Sequence, residues 1–163
     1  STETTMQNVK ILAATLAFVT LSTLAIAHGE NVHSEKGHSK AIDYRNSVMT
    51  VMKWNIRPMG KMVKGEMPYD KDAFAQHAAD LKNTSHLNLL AGFPEGSDEG
   101  EDTSARIDIW MDWDGFVEKY DTLKKASSEL AETAAGGDLD AIKPKFGAVG
   151  KACKSCHDDF KDK

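Results

Sequence analysis

The cluster Cys153-Lys154-Ser155-Cys156-His157 has residue types and spacing that point to one chemistry. Its thiols are the only two cysteines of the 163 residues. On a helix, positions i, i+3 and i+4 share a face. Two thiols placed there can form thioethers with both vinyl groups along one porphyrin edge. The imidazole that follows then stands under the iron as an axial ligand. C-x-x-C-H is accordingly the attachment signature of haem c. C-x-x-C alone also serves thiol oxidoreductases, but those set it at a helix start in a strand–helix unit. A structural zinc site wants four clustered ligands, and no second cysteine pair exists. The expected cofactor is one covalently bound haem c per chain, with His157 as the iron ligand.

Four amphipathic segments must position this cluster, each with apolar residues three or four apart. The first spans residues 40–64, with Ile42, Val48, Met49, Met52, Ile56 and Met59 on its stripe. Arg45 falls on the same stripe, an unusual place for a charge. The second spans 70–87, with Phe74, Ala78 and Leu81. The third spans 105–135, with Ile109, Trp113, Phe116, Tyr120, Leu123 and Leu130, and ends at Gly136-Gly137. The fourth spans 138–161, opens on Asp138 as N-cap, and carries the cysteine motif near its end. Pro58 and Pro144 are expected to distort the helices that contain them. Residues 92–104, GFPEGSDEGEDTS, read as an exposed loop whose acids are solvated or meet a basic partner. No strand alternation or internal repeat is visible. The fold class is therefore all-α, an antiparallel four-helix bundle over residues 40–163.

The start of the chain differs in character. Residues 11–27 carry no charge, follow Lys10 and end in Ala25-Ile26-Ala27, before the polar run HGENVHSEKGHSK. This is the layout of a secretory signal peptide, over residues 1–27, with Ser1–Thr5 read as tag residues ahead of Met6. Cleavage after Ala27 leaves residues 28–39 as a polar leader and no membrane segment in the mature form. The expected compartment is the periplasm, where paired or cofactor-bound cysteines are usual. The net charge of −5 argues against nucleic-acid binding.

The sequence resembles the cytochrome c′ family from about Ala41 to its end. The resemblance rests on YRNSVMTVM at 44–52, VKGEMPYD at 63–70, and Ala105-Arg106 followed by Ile109-Trp110. It continues with GDLD at 137–140 and FGAVG at 146–150, which lead into Cys153. It implies a five-coordinate, high-spin haem held by Cys153, Cys156 and His157. It also implies that Met49 closes the other face and that Arg45 approaches a haem propionate, a charge partner for the arginine on the stripe. Arg106 is implied in a similar part. Lys161 stands where the family usually has an arginine, four residues after the ligand histidine. The family often forms dimers through the first helix, and the methionines of residues 41–62 are read as supporting a homodimer here.

Other residues offer competing ligands. Met49 could bind iron through sulfur, and His77 lies near the apolar face of the second segment. Met52, Met59 and Met62 are read as packing, and His28, His33 and His38 as tail. Trp110, Trp113 and Phe116 are read as packing, some of them against the haem. The leading expectation is a periplasmic haem protein, not an enzyme, that binds NO or CO and transfers electrons to a partner protein that the sequence does not name. An apolar lid without a hydrogen-bond donor should favour NO and CO over O₂. The alternative is a six-coordinate electron-transfer cytochrome with Met or His as second axial ligand. A peroxidase would need a distal acid–base group, which Met49 does not supply.

Overall fold

The computed structural model describes residues 27–100 and 102–163. Five helices follow one another: α1 (Ala27–Lys64), α2 (Lys71–Ser85), α3 (Asp108–Met111), α4 (Trp113–Gly136) and α5 (Leu139–Phe160). A short 3₁₀ turn, Leu89–Gly92, lies between α2 and α3. α1, α2, α4 and α5 form the four-helix bundle. No strand occurs among the described residues.

Local chemistry sets most boundaries. The Asp70 carboxylate accepts from the amides of Asp72 and Ala73, both at 3.0 Å, and starts α2. Asp138 starts α5 in the same way through the Asp140 amide at 3.0 Å. Gly137, at φ +74°, takes the left-handed conformation that closes α4.

Three expectations change. α1 begins at Ala27 and not near residue 40, so the backbone of the polar leader is helical. The leader lacks an apolar stripe, and extending an existing helix costs little once it is nucleated. The signal peptide lies, except for Ala27, outside the described residues. The expected third helix is two pieces, because the Asp112 carboxylate caps the Gly115 amide at 3.1 Å and restarts the ladder. Residues 105–107 are not helical: Arg106 N–H donates to the Phe160 carbonyl at 3.1 Å, and Asp162 N–H to the Ser104 carbonyl at 2.9 Å. Finally, α1 and α5 run on through Pro58 and Pro144. The carbonyls left without a helical donor belong to Trp54 and Asp140, both exposed to water.

Phe74, Leu81, Met59, Leu130, Ile142 and Val149 are at most 1% exposed and fill the closed part of the bundle. There Phe146 meets Phe74 edge-on, with ring centres 6.4 Å apart. α4 packs along α5 and α2, and α2 along α1. α1 and α5 touch sparingly. The bundle is open on that side, and the site lies there.

Candidate haem-binding cleft

A cleft of about 530 Å³ lies between α1 and α5, within the usual range for cofactor pockets. α1 lines it with Met49, Met52 and Ile56. Leu89 and Phe93, from the connection after α2, close one end. Phe116, Tyr120 and Leu123 of α4 form the back wall. α5 supplies Val149, Ala152, Cys153, Cys156 and His157. The three motif residues thus share one face of α5, as the spacing predicts.

The electrostatics of these groups suit a cofactor better than thiol chemistry. Burial raises the pKa of Cys153, and it pushes that of Cys156 up to about 11. Both therefore stay neutral thiols at neutral pH, unlike the low-pKa thiolates of oxidoreductases. Partial burial, then the nearby Lys161 charge, holds the His157 imidazole below its ordinary pKa. That favours the neutral form, which can donate a lone pair to a metal. Two half-buried free cysteines, one histidine and apolar walls fit a porphyrin carrying two thioethers.

The motif turn is braced from α4. The Lys119 ammonium donates to the Ser155 hydroxyl at 2.7 Å and pairs with the Asp159 carboxylate at 2.9 Å. Ser155 lies between the two cysteines, so this brace acts on the turn that sets their spacing. The hydrogen bond to Asp159 raises the Lys119 pKa and keeps the group charged.

Arg45 is 3% exposed and also lines the cleft. Its guanidinium donates to the Gly92 carbonyl at 2.9 Å, the Ser97 hydroxyl at 2.8 Å, the Ser97 carbonyl at 2.6 Å and the Thr103 hydroxyl. It also lies 4.7 Å from the Phe93 ring centre. Burial lowers its pKa, and the Asp98 charge partly offsets this. The connection at 92–104 is thus only partly the exposed loop expected: Ser97 is fully buried and Phe93 nearly so. Four of the five donors of Arg45 go to that connection, leaving Nε–H.

The remaining expected site residues divide. Met49 lines the cleft. Arg106 does not; it pairs with Asp108 at 2.7 Å on the surface. His77 faces Asn55, with its Nδ1 3.0 Å from the Asn55 Oδ1, and does not line the cleft. His157 is the cleft's one histidine among the described residues. Of the aromatic trio only Phe116 reaches the lining. Trp113 packs on it at 5.7 Å, and the Trp110 indole donates to the Phe93 carbonyl at 3.1 Å. Met52, Met59 and Met62 are buried, so they do not supply the methionine-rich outer face expected for pairing.

Some lining residues were not singled out from the sequence. Lys53 and Arg57 of α1 lie four apart, and their helical phase beside Met49 could have indicated them. Leu89 and Phe93 lie in a connection without periodicity, and no comparable signal marks them.

A family profile described as Cytochrome C' matches residues 40–161. Cytochrome c' of Halomonas halodenitrificans is 42% identical over 125 residues, covering 74% of this chain and 95% of that protein. The solved cytochrome c prime from Shewanella frigidimarina superimposes with a TM-score of 0.74 at 34% identity, over 77% of this chain and 97% of that one. A nitric oxide complex of a cytochrome c prime variant from Alcaligenes xylosoxidans gives a TM-score of 0.70 at 35% identity, over 77% and 97%.

Proposed function

This chain belongs to the cytochrome c′ family, and on that premise we propose that it is a periplasmic haem c protein that takes NO or CO at a free axial place and exchanges single electrons. One observation carries the reading: His157 is the cleft's single histidine among the described residues, and Met49, Met52 and Ile56 of α1 line the same cleft. When bound, haem supplies reversible gas ligation and one-electron redox chemistry.

The chain's residues would do the rest. Cys153 and Cys156 would hold the cofactor by thioethers, and His157 would ligate its iron. Lys119 keeps the attachment turn in place. Met49, which lines the cleft, would crowd the cofactor's open face. It offers no N–H or O–H donor, so bound dioxygen gains no hydrogen bond, while NO and CO need none. Arg45 would have its remaining Nε–H for a carboxylate of the cofactor. The reading contains no catalytic turnover, because α1 places no acid–base group at Met49. The nitric oxide complex of the Alcaligenes protein supports NO as the ligand.

Export rests on the charge-free run at residues 11–27. Among the described residues, no helix is long and apolar enough to cross a membrane. Pairing of two copies along α1 falls to Tyr44 and Val51, which are 37% and 46% exposed on one face of the helix.

The absorption spectrum of the reduced protein tests the proposal. High-spin, five-coordinate bands that change on adding NO or CO are expected. Sharp low-spin bands would instead favour the six-coordinate carrier. The observation on that side is that two thioethers, Met49 and Met52, line the cleft from α1, with Met49 the one matched to the second axial place by the family resemblance.

A further inference from the structure

The cleft is lined by five cations, Arg45, Lys53, Arg57, Lys119 and Lys161, and by no carboxylate among the described residues. This is notable in a chain of net charge −5. Along α1 the bias continues past the cleft. Between Asp43 and Glu66 the sequence contains no acid, and Lys53, Arg57 and Lys61 succeed one another at four-residue steps. All three are exposed, and none has an ion pair or side-chain hydrogen bond among the described residues. Like charges one helical turn apart repel by a few tenths of a kcal/mol each, so the isolated fold gains nothing from them.

Trp54 stands among these cations. It is 73% exposed, next to Lys53 and three residues before Arg57. A tryptophan in water flanked by arginine and lysine has the composition of an interface hot spot. A second copy of this chain fits the strip poorly, because a twofold contact brings its cations toward their own copies. An acidic surface meets no such repulsion, and opposite charge would steer its approach.

We propose that the α1 strip Lys53, Trp54, Arg57 and Lys61 docks a one-electron donor protein with an acidic face, seating it against the rim of the haem cleft. The proposal rests on the electron-exchange reading above. With haem bound, the donor would be oxidised by one electron and the haem iron reduced from ferric to ferrous, with no bond made or broken. Trp54 supplies the apolar centre of the contact. The three cations supply encounter rate and orientation.

The haem-loaded protein would be tested against reduced flavodoxin as the acidic probe. Two readouts apply: complex formation by calorimetric titration of the oxidised pair, and the second-order reduction rate. Both should weaken as salt rises past about 0.1 M. K61E and W54A, at positions outside the cleft lining, should each weaken both severalfold. Reduction by a small uncharged reductant should stay unchanged in both variants, which also shows that they are folded. Binding and rate that ignore salt and both variants, with normal reduction by the small reagent, would overturn the docking strip alone. A haem that the small reagent cannot reduce would overturn the electron-exchange reading beneath it. A dimer in sedimentation that W54A dissociates would make the strip a self-interface and overturn the proposal.

Discussion

Arg45 grips Ser97 twice, through the backbone carbonyl at 2.6 Å and through the hydroxyl at 2.8 Å. One side chain of α1 thereby fixes a connection that follows it by about fifty residues and seats Phe93 in the wall of the cleft. Arg45→Ala should leave these acceptors buried without donors and cost about 3 kcal/mol, read from urea unfolding of the haem-loaded protein. Ser97→Ala should cost only about 1 kcal/mol, because the carbonyl contact survives. Equal costs for the two would show that the hydroxyl, and not the guanidinium, organises the connection.

Haem should remain with the chain through acid–acetone extraction and denaturing gels if Cys153 and Cys156 carry it as thioethers. Release of the haem under either treatment would remove the covalent attachment. Replacing Cys153 alone by Ala should leave one thioether, seen as a shifted band in the alkaline pyridine spectrum.

Met49→Ala should open space over the iron without removing a ligand. The ferrous spectrum is expected to stay high-spin while CO affinity rises by roughly ten- to a hundredfold, the equivalent of about 1–3 kcal/mol of relieved crowding. A wild type that is low-spin, and turns high-spin on this change, would make Met49 the second ligand.

Tyr120 couples the back wall of the cleft to alkaline stability. Its hydroxyl donates to the carbonyls of Ser85 at 2.6 Å and Leu87 at 2.8 Å. Burial raises its pKa. The folded state therefore holds this proton more tightly than the unfolded chain does. The stabilisation is full below the unfolded value of about 10 and is lost as pH rises through the folded value. Tyr120→Phe should cost about 1–2 kcal/mol at pH 8 and less at pH 11, measured by chemical denaturation at both. A cost that grows with pH would reverse the sign argued here.

Val51→Glu should dissociate any pair of copies formed along α1 while leaving the spectrum unchanged. Sedimentation of both proteins at several concentrations reads this directly. An unchanged mass would take Val51 out of the contact.

The attachment motif was legible because its logic is local: three residues on one helical face need no knowledge of the remaining chain. The start of α5 was legible for the same reason, since Asp138 and Gly137 act on amides within a turn of themselves. Arg45 was conspicuous as a charge on an apolar stripe, but its acceptors were not. Gly92, Ser97 and Thr103 lie in a stretch rich in Gly and acids, and only the folded chain brings them to one guanidinium. The break at Asp112 was hidden because the apolar spacing runs on through it from Ile109 to Phe116. The helical leader was hidden for the opposite reason, as a helix without an apolar stripe has no periodic signature.

The backbone pairing of Ser104–Arg106 with Phe160–Asp162 ties the end of the chain to the connection that Arg45 holds. Thr103 joins the two, taking a donor from Arg45 on one side and the Ala105 amide, at 3.0 Å, on the other. Such linked contacts open together or not at all. In deuterated water, the amides of Arg106 and Asp162 should therefore exchange at matched opening free energies, though 56 residues separate them in the chain. A fusion or truncation at the carboxyl end would loosen both at once, and with them the wall that Phe93 builds. The last residues of this chain are a latch on a segment that α1 holds from the other side.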